Sequence, residues 1–431
     1  MMLANQLAPR GVRALVALSA LATAAFAQGN VWTVDDDQPA DFDDVQDAID
    51  AASNGDLVLV RPGAYGPVLI DDKSLTIQAD GAPGSVSVNA PISFFFPTGP
   101  AITIANLAAS RSVVLRGIDA TSTGFQSGDL VAWLVGNAGP VLFEDGSFVN
   151  QSGDAINVSA SASVTFTRCL IDPGESFYDS FISTYLKRMG VSATSSGLAF
   201  YDCEVKGSLG PDAWTFILTH NPPGAGGDAL RIAGSTVFAS GTSFTGGAGG
   251  SAEATPCEPG FDGGHGIVAG GASVVRAREC TVTAGAGGLG SCGLGDGADG
   301  LAIDAPPGVV VTLTGAARSL AASSPVSGGT QIDLAFEGAP GDQLFLMIGL
   351  EPTAHVWVPD YAAVQHLAPP FVGLNAGAVG ASGSSALSFP IPNLGPGFAF
   401  ARYPSQALFV STTGQVFHAG PSTVTIKGPG L

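Results

Sequence analysis

Four residues of this chain recur at one place in a repeating pattern and could act on a substrate together. Asp154, Asp228, His265 and Asp299 each stand just ahead of a short apolar segment. If those segments are strands of stacked coils, the four residues lie about 5 Å apart. A ladder of Asp228, His265 and Asp299 then offers an acid and a base, or ligands for a divalent ion. Asp262 and Asp296 form a second column in "DGGHG" and "DGADG", and with Asp299 they suit Ca²⁺, the one cofactor these residues suggest. Arg276 and Arg278 alternate out of the segment Val274–Cys280 and are the best basic candidates, Arg276 being the one for a catalytic role. The plainer alternative is favoured: Asp and Gly recur because tight turns need them, the carboxylate accepting backbone N–H groups.

Aromatic residues are the second group with chemical use. The insert "ESFYDSFISTYLKRMG" spaces Phe177, Phe181, Tyr185 and Met189 four apart and stops at Gly190, which predicts a short helix. Tyr185, with Trp214 in the next insert, would wall a groove and stack on sugar rings, although such aromatics more often seat an insert on the body beneath it.

Cys257 precedes His265 by eight residues and Cys292 precedes Asp299 by seven. Both sit in Gly-rich loops, one coil apart, which suits a Cys257–Cys292 disulfide. Closing that loop stabilises by on the order of 3 kcal/mol. Cys169, Cys203 and Cys280 fall at a small inward position and read as buried thiols, with a Cys169–Cys203 bond as the lesser alternative. Residues 224–300 hold 23 Gly and read as flexible loops on a rigid scaffold.

The elements that position these residues follow from one template, apolar-x-apolar-x-x-small-x-apolar. It starts at Val113, Val141, Val164, Leu198, Val237 and Val275, at intervals of 28, 23, 34, 39 and 38 residues. Short strands such as Ile156/Val158, Leu230/Ile232 and Ile267/Ala269 precede several copies. A constant core with variable intervals means stacked coils with loops of different length, and three short strands per coil mean a parallel β-helix. At the start, Asp43 and Gln46 form a capping box, and Phe42, Val45, Ile49 and Ala52 share one helical face. That helix would cover the open end of the solenoid.

The opening "DVQDAIDAA…GD…V…PGAY…I…KSLTI" resembles the entry to right-handed parallel β-helix proteins of the pectin-lyase-like class. The resemblance covers residues 30–80, and 100–315 by repeat pattern alone. It implies the fold, and three enzyme types can be checked against it. The pectin methylesterase pattern fails, because Gly63-Ala64-Tyr65 is followed by Gly66-Pro67 rather than Glu, and the paired Asp are missing. Of the polygalacturonase elements only Gly264-His265-Gly266 has a counterpart. A pectate lyase needs clustered acids for Ca²⁺ and a basic residue, for which this chain has few donors.

Composition limits the partners. With 16 Lys and Arg against 36 Asp and Glu, the net charge is −20, which argues against nucleic acid and anionic lipid. Residues 1–27 read as a signal peptide: Arg10 and Arg13, an apolar run from Ala14 to Phe26, and the cleavage site Ala25-Phe26-Ala27. No second apolar stretch suggests an integral membrane protein. After the repeat fades, 319–329 reads as a linker and 330–431 as a small β-sandwich with about seven strands. This part resembles modules appended to exported bacterial repeat proteins, and His355, His366 and His418 read as surface residues.

The expectation is therefore an all-β chain: signal peptide 1–27, β-helix 28–318, linker 319–329 and sandwich 330–431. Its function would be binding of extracellular polysaccharide, or a structural place in the bacterial cell surface, without catalysis. The alternative is a lyase or hydrolase of acidic polysaccharide built around His265.

Overall fold

Alternation within each template copy dictates what the chain does next: every second side chain must leave water, and a single coil cannot bury them. A computed structural model describes residues 29–90, 99–122, 130–151, 153–175, 178–179, 184–185, 187–216, 219–395 and 397–431. The expected signal peptide lies outside these residues. The chain divides into two compact units, one of them Trp32–Ala317 and the other containing Arg318–Leu431. Among the described residues no helix is long and apolar enough to cross a membrane.

Trp32–Ala317 is a parallel β-helix with three sheets of ten, eight and eight strands. Each coil supplies one strand to each, for example Ile156–Ser159, Ser163–Thr167 and Leu170–Asp172. The template positions are the register. Val113 pairs with Val141, Val141 with Val164, Val164 with Leu198, Leu198 with Val237, and Val237 with Val275. Phe143, Phe166 and Phe200 stack face to face at 5.1 and 5.3 Å inside this column. Cys169 and Cys203 are free, buried thiols in the same core, and Cys280 is a partly buried one.

The corners explain the small, polar residues between strands. Asp145, Arg168, Asp202 and Glu279 all hold left-handed φ values of 46–57°, a conformation that Asn, Asp and Gly tolerate best. At another corner a buried ladder satisfies the backbone. Ser161, Ser196 and Ser235 each donate their N–H to the hydroxyl of the next serine, ending at Ser273, at 3.1–3.3 Å.

The capping helix spans Val45–Ala51, and its cap is Asp44, whose Oδ1 accepts the Gln46 N–H at 2.7 Å. The expected cap Asp43 is thus one residue early, which leaves the Gln46 side chain for another task. Its Oε1 accepts the Leu69 N–H at 2.6 Å and its Nε2 donates to the Leu69 carbonyl at 3.3 Å. Leu69 lies in Val68–Asp71, the first strand of one eight-stranded sheet.

Every long insert lies at one corner, where the sheet ending in Thr281–Thr283 hands over to the sheet ending in Ile303–Asp304. The expected helix in the first insert is instead an antiparallel pair, Tyr178–Asp179 with Thr184–Tyr185. The Gly-rich inserts are also ordered differently from the flexible loops expected. Gly207, Gly210 and Ala213 donate to the carbonyls of Thr245, Ala248 and Ser251; Gly246, Gly249 and Ala252 donate in turn to Thr283, Ala286 and Leu289. A return layer runs antiparallel, with Gly247 donating to Gly227, Gly264 to Gly247 and Gly285 to Gly264. Bonds at every third residue are the signature of three-residue-per-turn chains packed side by side. Glycine is needed because a Cβ on Gly264 would sit 1.8 Å from the Gly227 carbonyl oxygen.

Arg318–Leu431 builds a three-stranded and a five-stranded sheet around one apolar core that includes Leu320, Phe336, Leu344 and Phe409, and adds a two-stranded pair, Pro352–Val358 with Ala363–Leu367. The expected linker 319–329 is part of it. Ser319–Ala322 pairs with Gln331–Glu337, and Val326–Ser327 pairs with Ile426–Lys427. Small residues here fit a sheet as well as a spacer, so composition misplaced them. Arg318 belongs to this unit, paired with Asp342 and lying 4.5 Å over the Phe417 ring.

Candidate functional site

Strand alternation also decides which side chains face water. In the eight-stranded sheet from Val68–Asp71 to Ile303–Asp304, Ile102, Ala132, Ile156, Val191 and Leu230 are buried. Their neighbours Thr103, Trp133, Asn157, Ser192 and Arg231 form one outward column in strict register. Rungs of a sheet are about 4.8 Å apart, so this column is a straight row of polar groups around one aromatic ring. Trp133 is 41% exposed, unusual for a Trp on a regular strand. Outward residues of the ten-stranded sheet, such as Leu59, Leu142 and Tyr201, are buried.

Arg231 is the cation of this face. Its Nε donates to the buried Asp228 carboxylate at 3.1 Å, and its Nη2 makes a second, closer contact. Asp228 in turn accepts the His265 backbone N–H at 2.9 Å, and His265 Nδ1 accepts the Leu301 N–H at 2.8 Å. His265 therefore presents only its Nε2 side, 3.9 Å from Asp304. With its acceptor nitrogen occupied by a backbone donor, it is poorly placed to take a proton from a substrate.

The other sequence candidates serve the backbone in the same way. Asp154 accepts from Met189 N–H, Asp262 from Ala298, Asp296 from Gly290 and Asp299 from Gly287, all at 2.8–2.9 Å. Burial pushes the Asp154 carboxyl above its ordinary range. These contacts correct the expected columns. The residue in line with Asp228 and His265 is Leu301, and the one in line with Asp262 is Ala298, so Asp299 and Asp296 stand two residues away. Aligning the coils on Asp missed this, because the last turn places its carboxylates differently.

Among the described residues the only trio of ligand atoms within 4.8 Å of one another is Asp35, Asp36 and Asp37; Asp262, Asp296 and Asp299 form no such group. The trio itself is tied into the fold. Asp35 accepts from Asp37 and Gln38 N–H and pairs with Arg61 at 3.0 Å, while Asp36 accepts from Ala64. Arg276 lies on Val274–Arg278 in the ten-stranded sheet, opposite Phe238, and is not brought to His265 or Asp228. The side chains of Tyr185 and Trp214 lie outside the described residues; the backbone of Trp214 pairs with Asn221.

Cys257 and Cys292 are joined, with Cα atoms 5.5 Å apart. Beside them, His220 Nε2 and Glu258 Oε2 are 2.9 Å apart, a contact the sequence did not signal. Trp133 was legible in principle, since "VAWLV" alternates and puts Trp opposite the buried Ala132 and Leu134. In the second unit, His366 and His418 are buried rather than on the surface, and the rings of His355 and His366 lie 5.1 Å apart.

No family model matches the chain, and no curated protein matches it. Among solved structures, a variant of the PL6-family alginate lyase AlyGC is similar with a TM-score of 0.28 at 12% identity, covering 68% of this chain and 40% of that one. AlyGC itself gives 0.25 and 13%, covering 62% and 40%. Pectate lyase Pel9A gives 0.30 and 12%, covering 60% and 71%. The chain thus spans 40% of the length of the alginate lyase it resembles. The parallel β-helix is read from this chain's own three sheets.

Proposed function

We propose that this chain is an exported protein that holds an extracellular polysaccharide along the outward face of the eight-stranded sheet, without cleaving it. The observation that carries this reading is Trp133, an exposed ring in a straight row with Thr103, Asn157, Ser192 and Arg231. An aromatic face stacks on the apolar face of a sugar, and evenly spaced hydroxyl and amide groups bond the hydroxyls of successive sugars. The inserts enter at the adjacent corner, where walls to such a row would stand. Export is supported by the N-terminal segment 1–27 and by a disulfide joining two loops.

Absence of catalysis is supported by the use of the candidate acids and His265 as backbone acceptors. A glycan array, combined with assays for new reducing ends and for unsaturated products, tests both halves. Binding without turnover is expected. Turnover that disappears in His265→Ala would replace this reading with a lyase or hydrolase.

A further inference from the structure

We infer that the bound polymer is uncharged: a neutral glycan, not a polyuronate. The inference rests on the reading above, that the outward face of the eight-stranded sheet is a glycan platform, and it follows from the charges on and around that face. Recognition of a uronate chain needs cations at regular intervals, since each sugar carries a carboxylate and Arg holds one by a forked pair of hydrogen bonds. Across the described outward positions of this sheet the charged residues are Asp71, Arg231 and Asp304. The one cation among them is already engaged by Asp228. Protein carboxylate and uronate would compete for the same guanidinium.

The surroundings deepen the imbalance. Among the described residues, the segments that lead into this sheet carry eight carboxylates that are not buried against one such cation, Lys187; Arg188 is buried, as is Asp228. At an ionic strength of 0.1 M fields extend about 10 Å, so a polyanion approaching this sheet from the side of the inserts meets net negative charge. A neutral chain meets no such field, and Trp133 with the Thr, Asn and Ser hydroxyl and amide groups is the equipment it requires. A calcium bridge would be the way round this for a uronate. The columns that could have supplied it, through Asp262, Asp296 and Asp299, do not converge on one point.

The test is affinity electrophoresis of the full chain through gels containing a neutral β-glucan, mannan or xylan, or containing alginate or polygalacturonate. Each gel is run with EDTA and again with Ca²⁺. Retardation by at least one neutral polymer is expected, weakened about tenfold or more in Trp133→Ala and unchanged by 0.5 M NaCl, with no retardation by either uronate. Trp133 is exposed, so its replacement leaves the core intact; an unchanged circular dichroism spectrum checks this. Retardation by a uronate that exceeds every neutral polymer, with or without Ca²⁺, overturns the inference and leaves the platform standing. Neutral binding indifferent to Trp133→Ala places the polymer elsewhere and overturns the platform. Failure to bind any polymer sinks both.

Discussion

The carboxamide of Gln46 holds both backbone groups of Leu69, accepting its N–H at 2.6 Å and donating to its carbonyl at 3.3 Å. A side chain thus stands in for the missing neighbour of an edge strand, a position that otherwise invites pairing with another chain. Gln46→Ala is expected to cost about 1 kcal/mol, the net worth of such bonds near the surface. Asp44→Ala should cost about as much through loss of the helix cap. Urea unfolding followed by far-ultraviolet circular dichroism measures both, and a Gln46 variant as stable as the parent would show that water serves the edge equally well.

The glycine lattice makes a sharper forecast. In Gly264→Ala the new Cβ meets the Gly227 carbonyl oxygen at 1.8 Å, so two chains must part, and a loss of about 2 kcal/mol or more is expected. In Gly295→Ala the Cβ meets nothing within 4 Å, and the change should be neutral or slightly stabilising. Amide exchange at Gly247, Gly264 and Gly285 would quicken in the first variant and not in the second. Equal behaviour of the two would refute the lattice.

The Cys257–Cys292 bridge closes a loop with a sequence separation of 35 residues. Loop-closure entropy alone predicts about 3–4 kcal/mol. The measured loss in Cys257→Ser/Cys292→Ser should be smaller, because the Gly-rich segments on either side already hold each other. Thermal unfolding of the double variant beside the oxidised parent gives the number, and a loss above about 4 kcal/mol would mean that the bridge, not the lattice, orders these inserts.

The second unit should weaken in acid. Burial pushes the imidazole of His355 down to about 3, and burial with the neighbouring His355 and His418 rings holds His366 well below the usual value. Both stay neutral when folded, whereas the unfolded chain takes up protons below pH 6.5 or so. The unfolded state then binds more protons, so their contribution is fully present above that value and is lost as pH falls toward about 3. Melting curves between pH 7 and 4 should show the transition of this unit falling with pH, and falling less in His366→Phe. A transition independent of pH would contradict the assignment.

Much of this molecule is legible in its sequence. Val113, Val141, Val164 and Leu198 announce their column because burial forces one apolar residue into the same place in each coil, and the capping helix follows from its own stripe. The charged columns were harder. Asp262 and Asp296 occupy look-alike Gly-rich turns, as do His265 and Asp299, yet the hydrogen bonds place Ala298 beside Asp262 and Leu301 beside His265, and no hydrophobic signal marks such a slip of two residues. The lattice of the inserts at 207–228, 246–265 and 284–301 gives no apolar period, since its cohesion is backbone to backbone; the recurrence of Gly around Ala248 and Ser251 is its one trace. The stretch 319–329 looked like a spacer because Ala and Ser suit spacers and sheets alike. Trp133 was passed over because a lone Trp in a strand reads as core until the neighbours on both sides prove to be buried.

A framework bonded at every third residue cannot lengthen by one or two. Any insertion that keeps the Gly-rich segments intact must come as a whole triplet, matched by a triplet in the adjoining coils and in the returning layer. Related chains should therefore differ in this region by steps of three, and a coil gained by duplication would extend the block without disturbing what is already there.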